Sequence, residues 1–372
     1  MDGLEWFRSS SMQKTETTPS HDVVLSKPED SESGLTWFRE SSLKLSSPPP
    51  SSTTNANAPP VILASTLPPF SLIINADDFG YSKSRDLNIL SLFRSGCISQ
   101  TSLMVNGVSA REALVLADAA GLPVGIHINV TEGKPVLDIK NVKSLLTADG
   151  VFRGKMGFRA ALTRGAINLH ELEAEIQAQF SIFKTYSRYL PTHADGHQHI
   201  HILPFVREFF ATAALNNGVR HVRLPIMLDT DTIDDAACEE RAAFNNSVSY
   251  AAKLARDYFL LRGLIFPNFF VGFSTMGSEM TIEKVINVLS AAAATTTTTT
   301  AAAATNVILS IEWMVHPGQT SSHEISGCEG NMRRGDDFSL SFQRTHEATV
   351  LSSESLRTWL RGYARLTTSA KI

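Results

Sequence analysis

The sequence from residue 71 to residue 80 reads Ser71-Leu72-Ile73-Ile74-Asn75-Ala76-Asp77-Asp78-Phe79-Gly80, an apolar run that leads directly into two adjacent carboxylates. The continuous run Leu72-Ile73-Ile74 is typical of a strand that is buried on both faces of a parallel sheet. Adjacent residues on a strand face opposite ways, so Asp77 and Asp78 can share one site only if the chain turns, which Gly80 permits. The stretch predicts a buried strand that ends in a polar site.

Two neighbouring carboxylates resist ionising together unless a cation neutralises one of them. The pair therefore indicates a metal site in which one aspartate is a ligand and the other a base. A solvated Asp-Asp pair at the start of a loop, or a helix N-cap, explains the same residues without a metal.

Strand-like runs recur along the chain and alternate with helical patterns. We predict strands over 71–76, 101–105, 123–130, 191–195, 219–224, 268–272 and 306–311. We predict helices over 83–94, 109–120, 169–189, 204–217, 248–262, 279–289 and 353–366. This alternation predicts an α/β fold with about seven parallel strands, in a barrel or an open doubly wound sheet. In both folds functional sites lie at the carboxyl ends of the strands.

Composition narrows the class of protein. The chain has 372 residues, 43% of them apolar and 19% charged, with a net charge of −4 and three cysteines. These values argue against a nucleic acid or membrane partner held mainly by charge, and against a disulfide scaffold. There is no apolar run of about 20 residues, and the acidic start Met-Asp-Gly-Leu-Glu is unlike a targeting peptide. We expect a cytoplasmic protein.

Two segments differ from the predicted domain over 70–372. Residues 1–69 are rich in Ser, Thr and Pro, which predicts a disordered tail. The tail repeats the pattern GLxWFRxSS, and we interpret its two copies as docking motifs for a protein partner. The motif residues are Trp6, Phe7, Arg8, Trp37, Phe38 and Arg39. A duplication without a partner, or copies that fold back on the domain, are the alternatives. The Ala/Thr-rich stretch 291–305 is expected to be a surface loop insertion.

The densest group of metal-binding residue types lies in Thr192-His193-Ala194-Asp195-Gly196-His197-Gln198-His199-Ile200-His201. Its four histidines and one aspartate occupy alternate positions, so in an extended chain all five would face one side. Histidine is the commonest metal ligand, and aspartate often fixes its tautomer. The run predicts a metal site rather than an exposed polar cluster. Because four histidines exceed what one ion needs here, some of them must surround the site or contact substrate.

Four further residues fall at or near the ends of predicted strands. His127 lies between two isoleucines within the predicted strand 123–130, where a histidine is more often a core residue than a ligand. His316 follows the last strand in His316-Pro317-Gly318, a place suited to an acid or base. Asn106 and Arg223 could contact substrate or support other site residues, and each also has an ordinary structural explanation.

Together these residues supply the parts for metal-assisted hydrolysis: ligands, a spare carboxylate and a separate histidine. The pattern does not name the bond that is cut. Hydrolysis of another acyl group or of a phosphate ester remains an alternative, as does a non-catalytic scaffold recruited through the WFR repeats.

The motifs resemble those of the YdjC/ChbG-type carbohydrate deacetylases. The matching elements are NADDFG at 75–80, SLMVNG at 102–107, GIH at 125–127, the run at 192–201 and VHP at 315–317, in the same order. The resemblance covers roughly 71–372. It implies an irregular TIM-like (β/α) barrel that removes acetyl groups from N-acetylated sugars such as chitooligosaccharides, using one divalent metal ion.

The resemblance also implies roles for individual residues. Asp78, His127 and His197 match the metal ligands, Asp77 the base that activates water, and His316 the acid that protonates the leaving amine. His193, Asp195, His199 and His201 are further candidates to bind the metal or surround it. The implied ion is Mg²⁺, although histidine ligands suit Zn²⁺, Co²⁺ or Mn²⁺ better. The implied partner is an N-acetylated sugar or oligosaccharide, and a homodimer is also considered.

Overall fold

The computed structural model describes residues 69–232, 239–295, 309–319 and 341–372. The two WFR repeats, with Trp6, Phe7, Arg8, Trp37, Phe38 and Arg39, lie outside the described residues. The same is true of the part of the predicted loop insertion beyond residue 295.

Within the described ranges, seven strands form one sheet in which every pair is parallel. They are β1 (Phe70–Phe79), β2 (Gln100–Leu103), β3 (Val124–Ile128), β4 (Ala194–Gly196), β5 (Phe269–Val271), β6 (Ser310–Val315) and β7 (Ala364–Leu366). Their order is β4-β3-β2-β1-β6-β5, and β7 pairs with the first residues of β1. The central strand β1 is almost entirely buried, as its apolar sequence predicts.

The sheet curls into a half-barrel. Single-residue bridges from Ala194 to Val222 and from His221 to Ile265 continue the curl beyond β4. The predicted strand over 219–224 is therefore present only as these bridges. The irregular barrel-like α/β fold is confirmed.

Nine helices of the described residues follow or flank the strands. They are α1 (Lys83–Arg94), α2 (Ala110–Ala120), α3 (Lys155–Thr163), α4 (Leu169–Tyr186), α5 (Val206–Asn216), α6 (Glu239–Leu261), α7 (Ile282–Ala294), α8 (Phe342–Ser352) and α9 (Glu354–Tyr363). Their apolar faces and the sheet share one core, which includes the fully buried Trp313 and Phe180. Among the described residues, no helix is both long and apolar enough to cross a membrane.

Several predicted boundaries are wrong: the helix predicted over 248–262 begins at Glu239, and the last predicted strand runs to Val315 rather than to residue 311. Two further differences have a clear physical reason. Helix α7 continues to Ala294, because alanine has the highest helix propensity, so the Ala/Thr-rich segment begins inside a helix rather than in a loop. The helix predicted over 353–366 ends at Tyr363, and its last three residues form β7 against β1. Pairing with an available sheet edge outweighs the local helical pattern there.

Candidate metal centre

The carboxyl end of β1 brings both adjacent aspartates into one site. The pairing of β1 with β2 is irregular between Ala76 and Phe79, and Asp78 has a left-handed backbone with φ +63°. A local turn of this kind cancels the alternation that would point neighbours to opposite faces. The predicted turn is real, and it occurs at Asp78 itself before Gly80 (φ +86°).

Asp78, His127 and His197 form a cluster in which one donor atom from each lies within 4.8 Å of the others. Asp78 Oδ1 is 3.4 Å from His127 Nε2 and 3.1 Å from His197 Nδ1. The three residues come from the ends of β1, β3 and β4, so the predicted gathering of polar groups at strand ends is confirmed. One carboxylate and two imidazoles are a common donor set for a divalent ion.

The surroundings of the cluster fit a cation. Asp78 Oδ1 is buried and receives no hydrogen bond from the backbone or from a guanidinium group, which is unfavourable unless the imidazoles or an ion beside it carry positive charge. Four carboxylates lie in or beside the cluster, namely Asp78 within it and Asp77, Glu132 and Asp195 around it, against the two guanidinium groups of Arg85 and Arg223. With both imidazoles neutral, as metal ligands must be, these six groups carry two negative charges, which a divalent ion would neutralise.

His127 is oriented by Asp195. Its Nδ1–H donates to Asp195 Oδ1 over 2.6 Å, which leaves Nε2 turned towards Asp78. Burial lowers the pKa of His127, but the charge of Asp195 and hydrogen bonds to Asp195 and Asp78 raise it to about 10. An imidazole this basic in the absence of an ion marks a place where a positive charge is favoured.

His197 is held in a similar way by a residue that the sequence analysis missed. Its Nε2 lies 3.0 Å from Oε2 of Glu132, and the Tyr81 hydroxyl donates to Glu132 Oε1 over 2.7 Å. Burial lowers the pKa of His197, but the charge of Asp78 and hydrogen bonds to Asp78 and Glu132 raise it to about 9. One feature of the sequence could have indicated Glu132: it lies four residues after the end of β3, where functional residues gather in such a sheet.

Asp77 is fixed by Arg223, which donates from Nη1 to Oδ2 and from Nη2 to Oδ1, both over 2.6 Å. Asn75 donates to Oδ1 as well, over 2.6 Å. Arg223 also lies 3.0 Å from Asp195 and donates to Glu312 over 2.7 Å. Burial raises the pKa of Glu312 to about 7, although the charge of Arg223 opposes this. Because Arg223 is fully buried, it supports Asp77 and is not placed to contact substrate.

His316 follows β6, as predicted, and its Nε2 lies 3.9 Å from Asp77 Oδ2. Its backbone N–H donates to Glu347, which also accepts from the backbone of Gly277. Burial lowers the pKa of His316, against the charges of Asp77 and Asp78. Helix α8 therefore fixes the residue that was predicted to act as the acid.

The other three histidines of the run do not join the cluster. The chain is extended only to Gly196, and Gln198 and His199 then adopt left-handed backbones with φ +53° and +56° inside a short 3-10 helix. The prediction that all five alternate positions face one side is therefore wrong from His197 onwards, because the period of two holds only while the chain stays extended.

These histidines are buried packing residues. The His193 ring lies against Gly125 and contacts Gln100. His199 packs against Phe270 and Phe273. His201 donates a hydrogen bond from Nε2 to the carbonyl of Arg223. Burial lowers the pKa of all three, to about 4 for His193 and His201. Of the four candidates to bind or surround the metal, only Asp195 contacts a member of the cluster directly.

Asn106 supports a loop beside the cluster. Its side-chain amide donates to the carbonyls of Glu132 and Lys134. Its own carbonyl oxygen accepts from Asn129. These contacts place Asn106 among the residues that position Glu132.

The site opens on one side. The side chains of His197 and His316 are 12% and 13% exposed and Glu132 is 26% exposed, whereas Asp77, Asp78 and His127 are at most 2% exposed. A substrate would therefore reach the site past the partly exposed side chains of His197, Glu132 and His316.

A known protein family covers the part of the chain that contains these residues. The model of the YdjC-like protein family matches residues 71–362. The chain belongs to the YdjC-like family.

Relatives of this YdjC-like chain carry related names. The carbohydrate deacetylases of Mus musculus and Homo sapiens are each 39% identical over 295 residues, covering 79% of this chain and 91% and 88% of theirs. The chitooligosaccharide deacetylase of Serratia marcescens is 37% identical over 161 residues, covering 43% of this chain and 60% of its own.

A solved structure shares the fold of this YdjC-like chain. It comes from Enterococcus faecalis and is described as a proposed cellobiose-phosphate cleavage protein. It aligns with a TM-score of 0.59 at 19% identity, covering 82% of this chain and 98% of its own.

Proposed function

We propose that this chain hydrolyses the acetamide bond of N-acetylated carbohydrates of the chitooligosaccharide type, releasing acetate and a free amine. One observation carries the proposal: Asp77 and His316 face each other, with 3.9 Å between Oδ2 and Nε2, beside the Asp78–His127–His197 cluster. The names of the mammalian and bacterial relatives support the substrate class.

Asp78, His127 and His197 would hold the ion. When bound, a divalent ion polarises the amide carbonyl and lowers the pKa of water. The resemblance favours Mg²⁺, whereas two imidazole ligands favour Zn²⁺, Co²⁺ or Mn²⁺. The experiment below therefore includes all four.

Asp77 is the base, and its geometry indicates which oxygen acts. Oδ1 already accepts from Arg223 and Asn75, whereas among the described residues Oδ2 accepts from Arg223 alone. Each carboxylate oxygen can accept about two hydrogen bonds, so Oδ2 keeps a lone pair for the proton of the attacking water. That oxygen is also the one turned towards His316.

His316 is the acid. Its side chain is partly exposed, and Nε2 gives a proton to the amine nitrogen as the bond to the acyl carbon breaks. Glu347 holds the backbone of His316 and so fixes where the ring stands. The released acetate keeps the oxygen from water, and the amine keeps the proton.

The test is acetate release from short N-acetylglucosamine oligomers. Metal-stripped protein is assayed after addition of Mg²⁺, Zn²⁺, Co²⁺ or Mn²⁺, beside Asp77→Asn. The substitution should lower kcat by about 10²–10⁴-fold, since it removes the base, while metal affinity stays close to wild type. No release with any ion, from folded protein that binds the ion, would refute the proposal.

A further inference from the structure

Glu132 lies beside the candidate ligands but belongs to none of the motifs that mark the site. Its two carboxylate oxygens serve different partners: Oε2 lies 3.0 Å from His197 Nε2, and Oε1 accepts from the Tyr81 hydroxyl over 2.7 Å. It is not a member of the Asp78–His127–His197 cluster.

The two nitrogens of His197 face different groups. Nδ1 is turned towards Asp78 Oδ1 at 3.1 Å, and Nε2 is turned towards Glu132. A neutral imidazole carries its proton on one nitrogen only, and a carboxylate partner selects which one. With the proton on Nε2, the lone pair of Nδ1 is free to bind an ion.

We propose that Glu132 is a positioning residue that holds the proton of His197 on Nε2, so that His197 binds the metal through Nδ1. The proposal rests on the metal site of the proposed function and not on the identity of the substrate. It gives the two histidine ligands opposite tautomers, because His127 donates from Nδ1 to Asp195 and turns Nε2 to the cluster.

The backbone around Glu132 is held by hydrogen bonds from neighbouring asparagine side chains. Asn129 Oδ1 accepts from the backbone N–H of Glu132 over 3.0 Å, and Asn129 Nδ2 donates to the carbonyl of Glu132 over 2.8 Å. Asn106 donates to the same carbonyl, and Gln179 holds the backbone of Asn129. A residue held in this way can orient its partner before the metal arrives, which is what a positioning role requires.

The experiment compares Glu132→Leu, Glu132→Gln and the control Glu173→Gln. Glu173 is exposed on α4, so its substitution removes the same charge without touching the site. Each metal-stripped protein is titrated with Zn²⁺ and, separately, with Mg²⁺ by calorimetry. Histidine nitrogen NMR of the zinc-loaded wild type then shows which nitrogen of His197 carries the metal.

We expect Glu132→Leu to raise the Kd for the ion about 10-fold or more, within the range found when the hydrogen-bond partner of a ligand is removed. Glu132→Gln should raise it less, because the amide oxygen can still accept the Nε2 proton. Glu173→Gln should leave the Kd unchanged. In the wild type, NMR should show the metal on Nδ1 of His197 and the proton on Nε2.

An unchanged Kd in folded Glu132→Leu protein would overturn the proposal, and so would metal on Nε2 of His197 in the wild type. If the leucine variant fails to fold, the NMR result on wild-type protein decides alone. Wild-type protein that binds metal through Nδ1 but releases no acetate would refute the deacetylase and leave the role of Glu132 standing.

Discussion

Replacing Arg223 with lysine tests whether the candidate base is held by a bidentate contact. Arg223 reaches both oxygens of Asp77 at 2.6 Å, and the same guanidinium contacts Asp195 and Glu312. A lysine ammonium keeps the charge, but it is a single point that cannot match two carboxylate oxygens in a plane while also reaching two other carboxylates.

The expected loss of stability follows from the number of contacts. Arg223 makes four short contacts to three buried carboxylates, and lysine can replace at most about two of them. Hydrogen bonds between charged groups contribute about 1.5–3 kcal/mol each, so we expect Arg223→Lys to cost about 3 kcal/mol or more. Full removal of the charge would cost more, since the carboxylates would be left without compensation.

The expected loss of activity comes from Asp77. Once released from the bidentate contact, its carboxylate can rotate, and a displacement of about 1 Å at a reacting group can cost about 100-fold in rate. Since Arg223 is fully buried and cannot touch substrate, the loss should fall on kcat and leave KM nearly unchanged. The free energy of unfolding is measured with urea, and kcat and KM from acetate release.

Two other variants separate the effects. Arg207→Lys is the matched control at a surface ion pair with Glu208 and should change neither stability nor rate appreciably. Glu312→Gln disturbs the same buried network but keeps the contact between Arg223 and Asp77, so kcat should stay within about threefold of wild type. The reasoning fails if Arg223→Lys keeps the wild-type kcat, or if Glu312→Gln loses as much as Arg223→Lys.

Three further predictions concern the support of the site. In Gly125→Ala the new Cβ would lie 2.4–2.6 Å from three ring atoms of His193, so we expect the free energy of unfolding to fall by about 1–3 kcal/mol in a denaturation experiment. Adding His193→Ala should restore part of this free energy, and additive losses in the double variant would contradict the prediction. His193 has a folded pKa of about 4, lowered by burial from 6.5, so the unfolded chain binds more protons between these values. The free energy of unfolding should therefore fall by about 1.6 kcal/mol from pH 6.5 to pH 5, and metal-saturated His193→Gln should lack this part of the loss. Chelation should lower the Tm of wild type but not of Asp78→Asn, since an ion at about 1,000 times its Kd adds about 4 kcal/mol; equal shifts would place the metal elsewhere.

Strands and helices were predicted correctly from the sequence where the local pattern of apolar residues is strong. The apolar run before Asp77 predicted β1, and helix α1 has the bounds that its pattern indicated, Lys83–Arg94. The number of strands also agrees, but partly by coincidence. The predicted strand over 219–224 is reduced to bridges, while β7 arises from residues that look helical. Short strands depend on the neighbouring edge, which a sequence window does not contain.

The histidine run shows where reasoning from a period fails. Alternation put His197, His199 and His201 on one face, yet left-handed backbones at Gln198 and His199 separate them. Glutamine and histidine do not favour a left-handed backbone as glycine does, so the local sequence does not predict the turn. His197 is brought to the cluster, while the next two histidines turn into the core.

The residues that hold the site were harder to find than the residues that form it, and the reason is physical. The candidate ligands and base lie beside turns that their own segments must make, so they occur in short, recognisable motifs. Their partners need only lie at the same end of the sheet and can come from any element. Glu132 is 65 residues from His197, Arg223 is 146 residues from Asp77, and Glu312 is 89 residues from Arg223. Motifs can therefore indicate what a site binds, but how firmly it binds depends on contacts that only the folded chain brings together.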